Sequence, residues 1–221
     1  MTRPWRQFRP SSPFRASRFF SAVTREYFYH VDDHGQVFLA ETEPKNIATS
    51  LKDKKVVDFF TRHVRPNETG VHTRDYPWVS MCMGEHNFVS AAATPIVFQE
   101  LRTVAQHRAA RRSRRSRDAD ADADGDEKNA LLVYGSRLVL PFQPDALRWD
   151  ESSGRLFHPV PDVHGIPNDL AMVRGSLVMQ WMEDGLFLED GAHASDEPVF
   201  VWHGVELPVR AVGDAVDEGS K

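Results

Sequence analysis

Apolar and polar positions alternate through Tyr27-Phe28-Tyr29-His30-Val31, which puts Tyr27, Tyr29 and Val31 on one side of a strand and Phe28 and His30 on the other. Asp32-Asp33-His34-Gly35 predicts a hairpin turn, because Asp favours the turn start and Gly accepts a positive φ, and the return strand is expected over 36–40. The period then lengthens. Val56, Val57, Phe60 and Val64 form one helical stripe, with Asp53 as N-cap and Arg65-Pro66 as the stop, so a helix is predicted over about 53–65. Strand patterns return at 78–82, around Phe88-Val89 after a turn near Gly84-Glu85, and over 95–101. Two short strands flank Gly135-Ser136, a helical turn is expected over 144–149, and a strand over 154–160. Residues 173–189 read as a hairpin turning at Asp184-Gly185, and 199–209 as another with His203-Gly204 at its tip. The expected fold class is α+β, mostly antiparallel sheet built from hairpins, with one clear helix. Hairpins on the two sides of an insertion suggest two small sheet modules.

That insertion covers 108–128, where Arg108, Arg111, Arg112, Arg114, Arg115 and Arg117 precede an Asp/Ala run. The two halves nearly cancel in charge, and nothing apolar is present to offset the entropy of ordering, so a disordered loop is expected. The domain is read as a single unit over 21–212, followed by a flexible acidic tail at 213–221.

Composition narrows the function classes. The single cysteine, Cys82, excludes an internal disulfide framework and a multi-cysteine zinc site. No apolar run reaches the roughly 20 residues that span a bilayer, so membrane insertion is not expected. The net charge of −5 hides an asymmetry: Arg3, Arg6, Arg9, Arg15 and Arg18 lie in a leader with no acid before Glu26. Removing those five from the 27 Lys and Arg leaves 22 against 32 acids, a net charge of −10. A chain of that sign is a poor nucleic-acid binder. The leader itself, rich in Arg, Ser and Phe, has the composition of a mitochondrial transit peptide over 1–20. Arg18-Phe19-Phe20-Ser21 suggests processing after Phe20, which would deliver the domain to the matrix.

The aromatic strand carries a resemblance. Thr24-Arg25-Glu26-Tyr27-Phe28-Tyr29, Val31-Asp32, Gly35-Gln36 and Phe38-Leu39 resemble uncharacterised protein family 0598 (UPF), mitochondrial proteins of unknown function. Arg65-Pro66-Asn67, Ser80, Cys82, Glu85, Asn87-Phe88, Pro141-Phe142, Gly154-Arg155-Leu156, His158-Pro159 and Val173-Arg174 extend the similarity over most of 24–180. The Arg/Asp insertion departs from the family pattern, and His30 and His34 do not match it. The resemblance implies mitochondrial residence and supplies no activity. A fainter similarity in layout is to bacterial domains of unknown function with repeated α+β motifs and a ligand cleft.

Candidate site residues follow from chemistry. Arg25, Arg65 and Arg174 lie beside aromatic or β-rich segments, where a guanidinium can bind a carboxylate bidentately, and His158 and Asn87 offer further polar contacts. These five form the expected ligand-binding set of a non-enzymatic module for a small anionic ligand or a mitochondrial protein. The alternative is a small hydrolase or transferase with Cys82 as nucleophile and His158 and Glu85 in the site. His30, Asp32, Asp33 and His34 have metal-ligand chemistry, but their spacing around a turn reads as a hydrated tip, so no metal is expected. No phosphate loop, HExxH or GxSxG occurs, and the cofactor stays unknown.

Overall fold

A computed structural model describes residues 25–82, 84–112, 130–160, 170–188 and 198–213. The expected transit peptide, most of the insertion (113–128), the loop at 161–169 and the acidic tail from 214 lie outside the described residues. Strands β1 (Glu26–Val31), β2 (Val37–Leu39), β3 (Val64–Pro66), β4 (Trp78–Cys82) and β5 (Glu85–Ala91) form the first sheet, in the order β2-β1-β5-β4-β3. The second sheet comprises β6 (Val97–Thr103), β7 (Ala130–Tyr134), β8 (Leu138–Pro141), β9 (Arg148–Asp150), β10 (Arg155–Pro159), β11 (Leu170–Val173) and β15 (Arg210–Ala211), ordered β15-β9-β10-β11-β6-β7-β8. A third holds β12 (Phe187–Leu188), β13 (Val199–Trp202) and β14 (Val205–Pro208). Among the described residues the pairings are antiparallel except β1 with β5, β6 with β11, and β9 with β15. The α+β class with a mostly antiparallel sheet is therefore observed. In place of two small modules the described residues form three sheets, and strands from both sides of the insertion share the second one.

Among the described residues three α-helices replace the one expected: α1 (Lys54–Arg62), α2 (Val104–Arg112) and α3 (Gly175–Glu183). In α1, Asp53 is the N-cap, accepting from Lys55 N at 2.8 Å and Val56 N at 3.1 Å. The helix ends at Arg62, earlier than expected, with His63 as its C-cap; the strand Val64–Pro66 follows, where the pre-proline restriction keeps Arg65 extended. Its buried face also differs: Val56 is exposed, while Val57, Asp58, Phe60 and Thr61 are buried. Helix α2 continues directly from β6 and takes in 108–112, the start of the expected disordered insertion.

Most of the predicted hairpin over 173–189 is the helix Gly175–Glu183. Leu177, Val178 and Trp181 bury one face at i, i+1 and i+4, a period no strand can use. Asp184-Gly185, the supposed hairpin turn, closes α3 in a Schellman arrangement: Gly185 N bonds to Met182 O at 3.0 Å and Leu186 N to Trp181 O at 2.7 Å, with Gly185 at φ 68°. The 199–209 hairpin does form, and His203 and Gly204 take φ of 50° and 78° as a tight turn with both central residues left-handed requires.

The second sheet is the middle layer. One of its faces, through Val97 and Met172, joins Val31, Val57, Phe60, Val64 and Val89 in a core shared with the first sheet and α1. The other face, through Phe98, Leu156 and Val173, packs with Leu177 and Trp181 of α3 and Phe200 of the third sheet. Two polar links tie the layers. Asp58 of α1 accepts from Ser136 N at 2.9 Å, Arg137 N at 3.0 Å and Arg137 Nε at 2.8 Å, all at the β7–β8 turn. The β1–β2 tip rests on β6, where Gln99 Nε2 donates to His34 O at 3.2 Å and Gly35 O at 3.1 Å. Gly35 is required there: its φ is 73°, and a Cβ would stand 2.6 Å from Gln99 Nε2.

Candidate functional site

The pleat of β1 sends Tyr27, Tyr29 and Val31 to the α1 side of the first sheet and Glu26, Phe28 and His30 to the other. Register then decides what meets Tyr27. It lies beside Asn87 of β5, Asn87 lies opposite Ser80 of β4, and Cys82 lies opposite Glu85. Arg25, Tyr27, Tyr29, Ser80, Cys82, Glu85 and Asn87 thus share one end of one face. Asn87, 3% exposed, organises it: its Nδ2 donates to Ser80 O at 2.9 Å and to Cys82 Sγ at 3.0 Å. Ser80 Oγ donates in turn to Phe60 O at 2.8 Å, fixing the cluster to α1. At the rim, the exposed Arg25 guanidinium stands 3.8 Å from the Glu85 carboxylate.

The electrostatics of this cluster favour protonated groups. Burial pushes the Tyr29 hydroxyl up, with Cys82, Glu85 and Tyr27 adding to it. Burial likewise pushes the Cys82 thiol up; a hydrogen bond with Ser80 works the other way, and Glu85 adds a further rise. A nucleophilic cysteine needs the opposite shift and a neighbouring base. His86 sits opposite Met81, one residue out of phase with Cys82, so the sheet separates thiol and imidazole; the His86 ring lies 5.9 Å from Phe88 on the far face.

On the other edge of β1 lies a groove of about 430 Å³, lined by Glu26, Tyr27, Phe28, Leu39, Ala40, Glu41 and Tyr76. Its origin is a difference in strand length. β2 pairs with Tyr29, His30 and Val31, Ala40 N adds one bond to Phe28 O at 2.8 Å, and the chain then turns away, leaving Glu26 and Tyr27 beside a gap. Tyr76 arrives from the 67–77 loop, whose shape is set by buried Asn67: its Nδ2 donates to Val71 O and Tyr76 O, each at 2.9 Å. Phe28 is held beneath by aromatic contacts with Tyr76 at 4.9 Å, His72 at 5.0 Å and Phe88 at 5.6 Å. The charged side chains on the lining are the carboxylates of Glu26 and Glu41.

The sequence-derived set divides. Arg25, Glu85, Asn87 and Cys82 come together around Tyr27. Arg65 does not join them: it is exposed on β3, paired with Val79 and so on the opposite face. Arg174, half-buried, is the N-cap residue of α3 in another layer, where its carbonyl accepts from Leu177 N at 2.8 Å. His158 is 1% exposed in the second sheet. Its Nε2 accepts from Gln143 N at 2.9 Å, its Nδ1 donates to Pro159 O at 2.7 Å, and its ring is stacked at 5.6 Å on Phe142. Both ring nitrogens are committed to the backbone, and burial lowers its pKa to about 4. Neither the anion cleft of Arg25, Arg65, Arg174 and His158 nor the Cys82–His158–Glu85 triplet is assembled. At the hairpin tip His30 Nδ1 bonds with Ser90 Oγ at 3.0 Å, and Asp32 Oδ1 accepts from His34 N and Gln36 N. No group of three metal-ligating side chains is found among the described residues.

Sequence reasoning placed Leu39 on the return strand without reading it as a site residue, and missed Glu41 and Tyr76, which no local signal links to β1. Asp58 was legible: it is an acid inside the apolar arc between Val57 and Phe60.

A domain of unknown function (DUF4505) matches residues 19–211. The chain belongs to this family. The match spans β1 to β15 and so includes both the polar cluster and the groove of the DUF4505 fold. A crystal structure of a DUF1285 family protein from Silicibacter pomeroyi DSS-3 is similar over 86% of this chain and 84% of its own, at 12% sequence identity and a TM-score of 0.44. Among the described residues of the DUF4505 chain, no helix is long and apolar enough to cross a membrane.

Proposed function

We propose that this DUF4505 protein is a non-enzymatic binding module of the mitochondrial matrix, and that its binding site is the groove beside β1. The groove carries the reading: a concave site of about 430 Å³ lined by aromatic side chains and two carboxylates has the size and mixed lining of a ligand site. A raised thiol pKa at Cys82 and a histidine bonded at both nitrogens favour binding over covalent catalysis. The lining changes the sign of the expected ligand. Glu26 and Glu41 repel an anion, while the Arg25 guanidinium faces Glu85. The occupant is a neutral or cationic group, and the protein-partner reading is preferred to the small anion. Delivery to the matrix rests on the acid-free Arg-rich leader and on the resemblance to a mitochondrial family.

Photo-crosslinking in mitochondria tests this. A benzoylphenylalanine in place of Leu39, at the groove, is expected to trap a mass-defined adduct that the same probe in place of exposed Val205 does not. Repeated preparations with no adduct at Leu39, or equal labelling at both positions, would remove the groove as the site.

A further inference from the structure

We infer that the groove takes an extended peptide segment bearing Arg or Lys, which adds as a strand to the open edge of β1. The inference rests on the groove being the binding site and names its occupant.

Backbone direction is the first ground. Successive residues of a strand point their N–H and C=O to opposite edges. Arg25 O accepts from His86 N and Val31 O from Ala92 N, so the odd-numbered residues of β1 serve β5. The even-numbered ones serve the β2 side, where Ala40 N donates to Phe28 O at 2.8 Å. Glu26 therefore turns its backbone N–H and C=O toward the groove, past the point where β2 departs, and has no strand partner on that edge among the described residues. An uncovered edge of this kind is a template for one more strand.

Side chains supply the second ground. A strand laid in the groove would alternate its residues between the two sides of the sheet edge. One side offers the Glu26 carboxylate, whose Oε2 stands 3.5 Å from His72 Nε2, with Phe28 and Tyr76, and the other offers Tyr27. Glu41 adds a second carboxylate to the lining. A guanidinium or ammonium group gains from the carboxylates and from the faces of the aromatic rings, whereas an acidic side chain is repelled by both. Charge and strand edge together select a basic extended segment over a helix, which could not pair with Glu26, and over a small cation, which would leave those backbone groups to water.

The test uses the full chain and a labelled synthetic peptide of alternating Thr and Arg with one central Phe. Saturable binding by fluorescence anisotropy is expected, together with slowed hydrogen exchange at the Glu26 amide. Replacing Arg by Glu in the peptide, or N-methylating its alternate amides on the pairing edge, is expected to abolish binding. The double substitution Glu26→Gln and Glu41→Gln is expected to weaken it by about tenfold with an unchanged thermal melt. Binding that survives N-methylation would overturn strand addition, and binding indifferent to peptide charge would overturn the basic partner. Loss of binding in the full chain but not in residues 21–221 would make the chain's own basic segment the occupant and overturn a partner in trans. No peptide binding, with a small-molecule adduct still trapped at Leu39, would overturn this inference and leave the groove reading standing. Failure of both would remove both.

Discussion

His158 lies between Phe98 and Phe142 with its Nδ1–H donated to Pro159 O and its Nε2 accepting from Gln143 N. Protonation would put a second N–H against the Gln143 N–H inside an apolar layer. Burial lowers its pKa from 6.5 to about 4, against the opposing pull of the Pro159 hydrogen bond and the Asp145 carboxylate. The folded pKa is the lower one, so between these values the unfolded chain binds the extra proton. Stability is then full above about pH 6.5 and is lost as pH falls toward 4, by about 3 kcal/mol from this group. Urea denaturation across that range checks it: His158→Gln is expected to remove one proton's worth of the pH slope, and an unchanged slope would contradict the assignment. At this scale the sequence was half legible. A histidine in an apolar strand announces that it is buried, but whether its nitrogens meet a ligand or the backbone depends on Gln143, which arrives from a separate turn.

Helices α1 and α3 show what local signals decide. The Asp53 cap specifies the start of α1 because a side chain reaches only its own first turn. Asp184-Gly185 specifies a left-handed residue and a chain reversal without specifying what precedes it, so it serves a helix end as readily as a hairpin. Only the burial of Leu177, Val178 and Trp181 on one face against the second sheet resolves the ambiguity. Asp58 belongs to this scale too, since one side chain bolts α1 to the β7–β8 turn. It is 4% exposed and accepts three hydrogen bonds. Asp58→Ala leaves the Ser136 and Arg137 backbone donors unpaired and is expected to cost about 3 kcal/mol, with Asp58→Asn retaining part of it. Thermal and urea melts measure both; equal stability of Asp58→Ala and the unsubstituted chain would show the bolt to be redundant.

The three sheets are expected to unfold as one body, because the middle sheet contributes to both hydrophobic clusters. Removing either neighbour strips apolar cover from a face it shares. Single-tryptophan variants retaining Trp78 in the first cluster or Trp181 in the second should give coincident urea midpoints, and separated midpoints would mean two independent units. By itself the sequence determined where most chain reversals fall, the period of most strands, the start of α1 and the charge asymmetry of the first 25 residues. These rest on φ preferences, side-chain alternation and composition, which act over a few residues or over none. Tertiary structure alone decided that β6 and β11 pair in parallel across the insertion, that Arg65, Arg174 and His158 go to separate places, and that a groove opens where β2 falls short of Glu26. Each of these depends on which surfaces cover one another. That is settled by long-range burial and strand register, and a pattern of side chains along one strand carries no record of its neighbour.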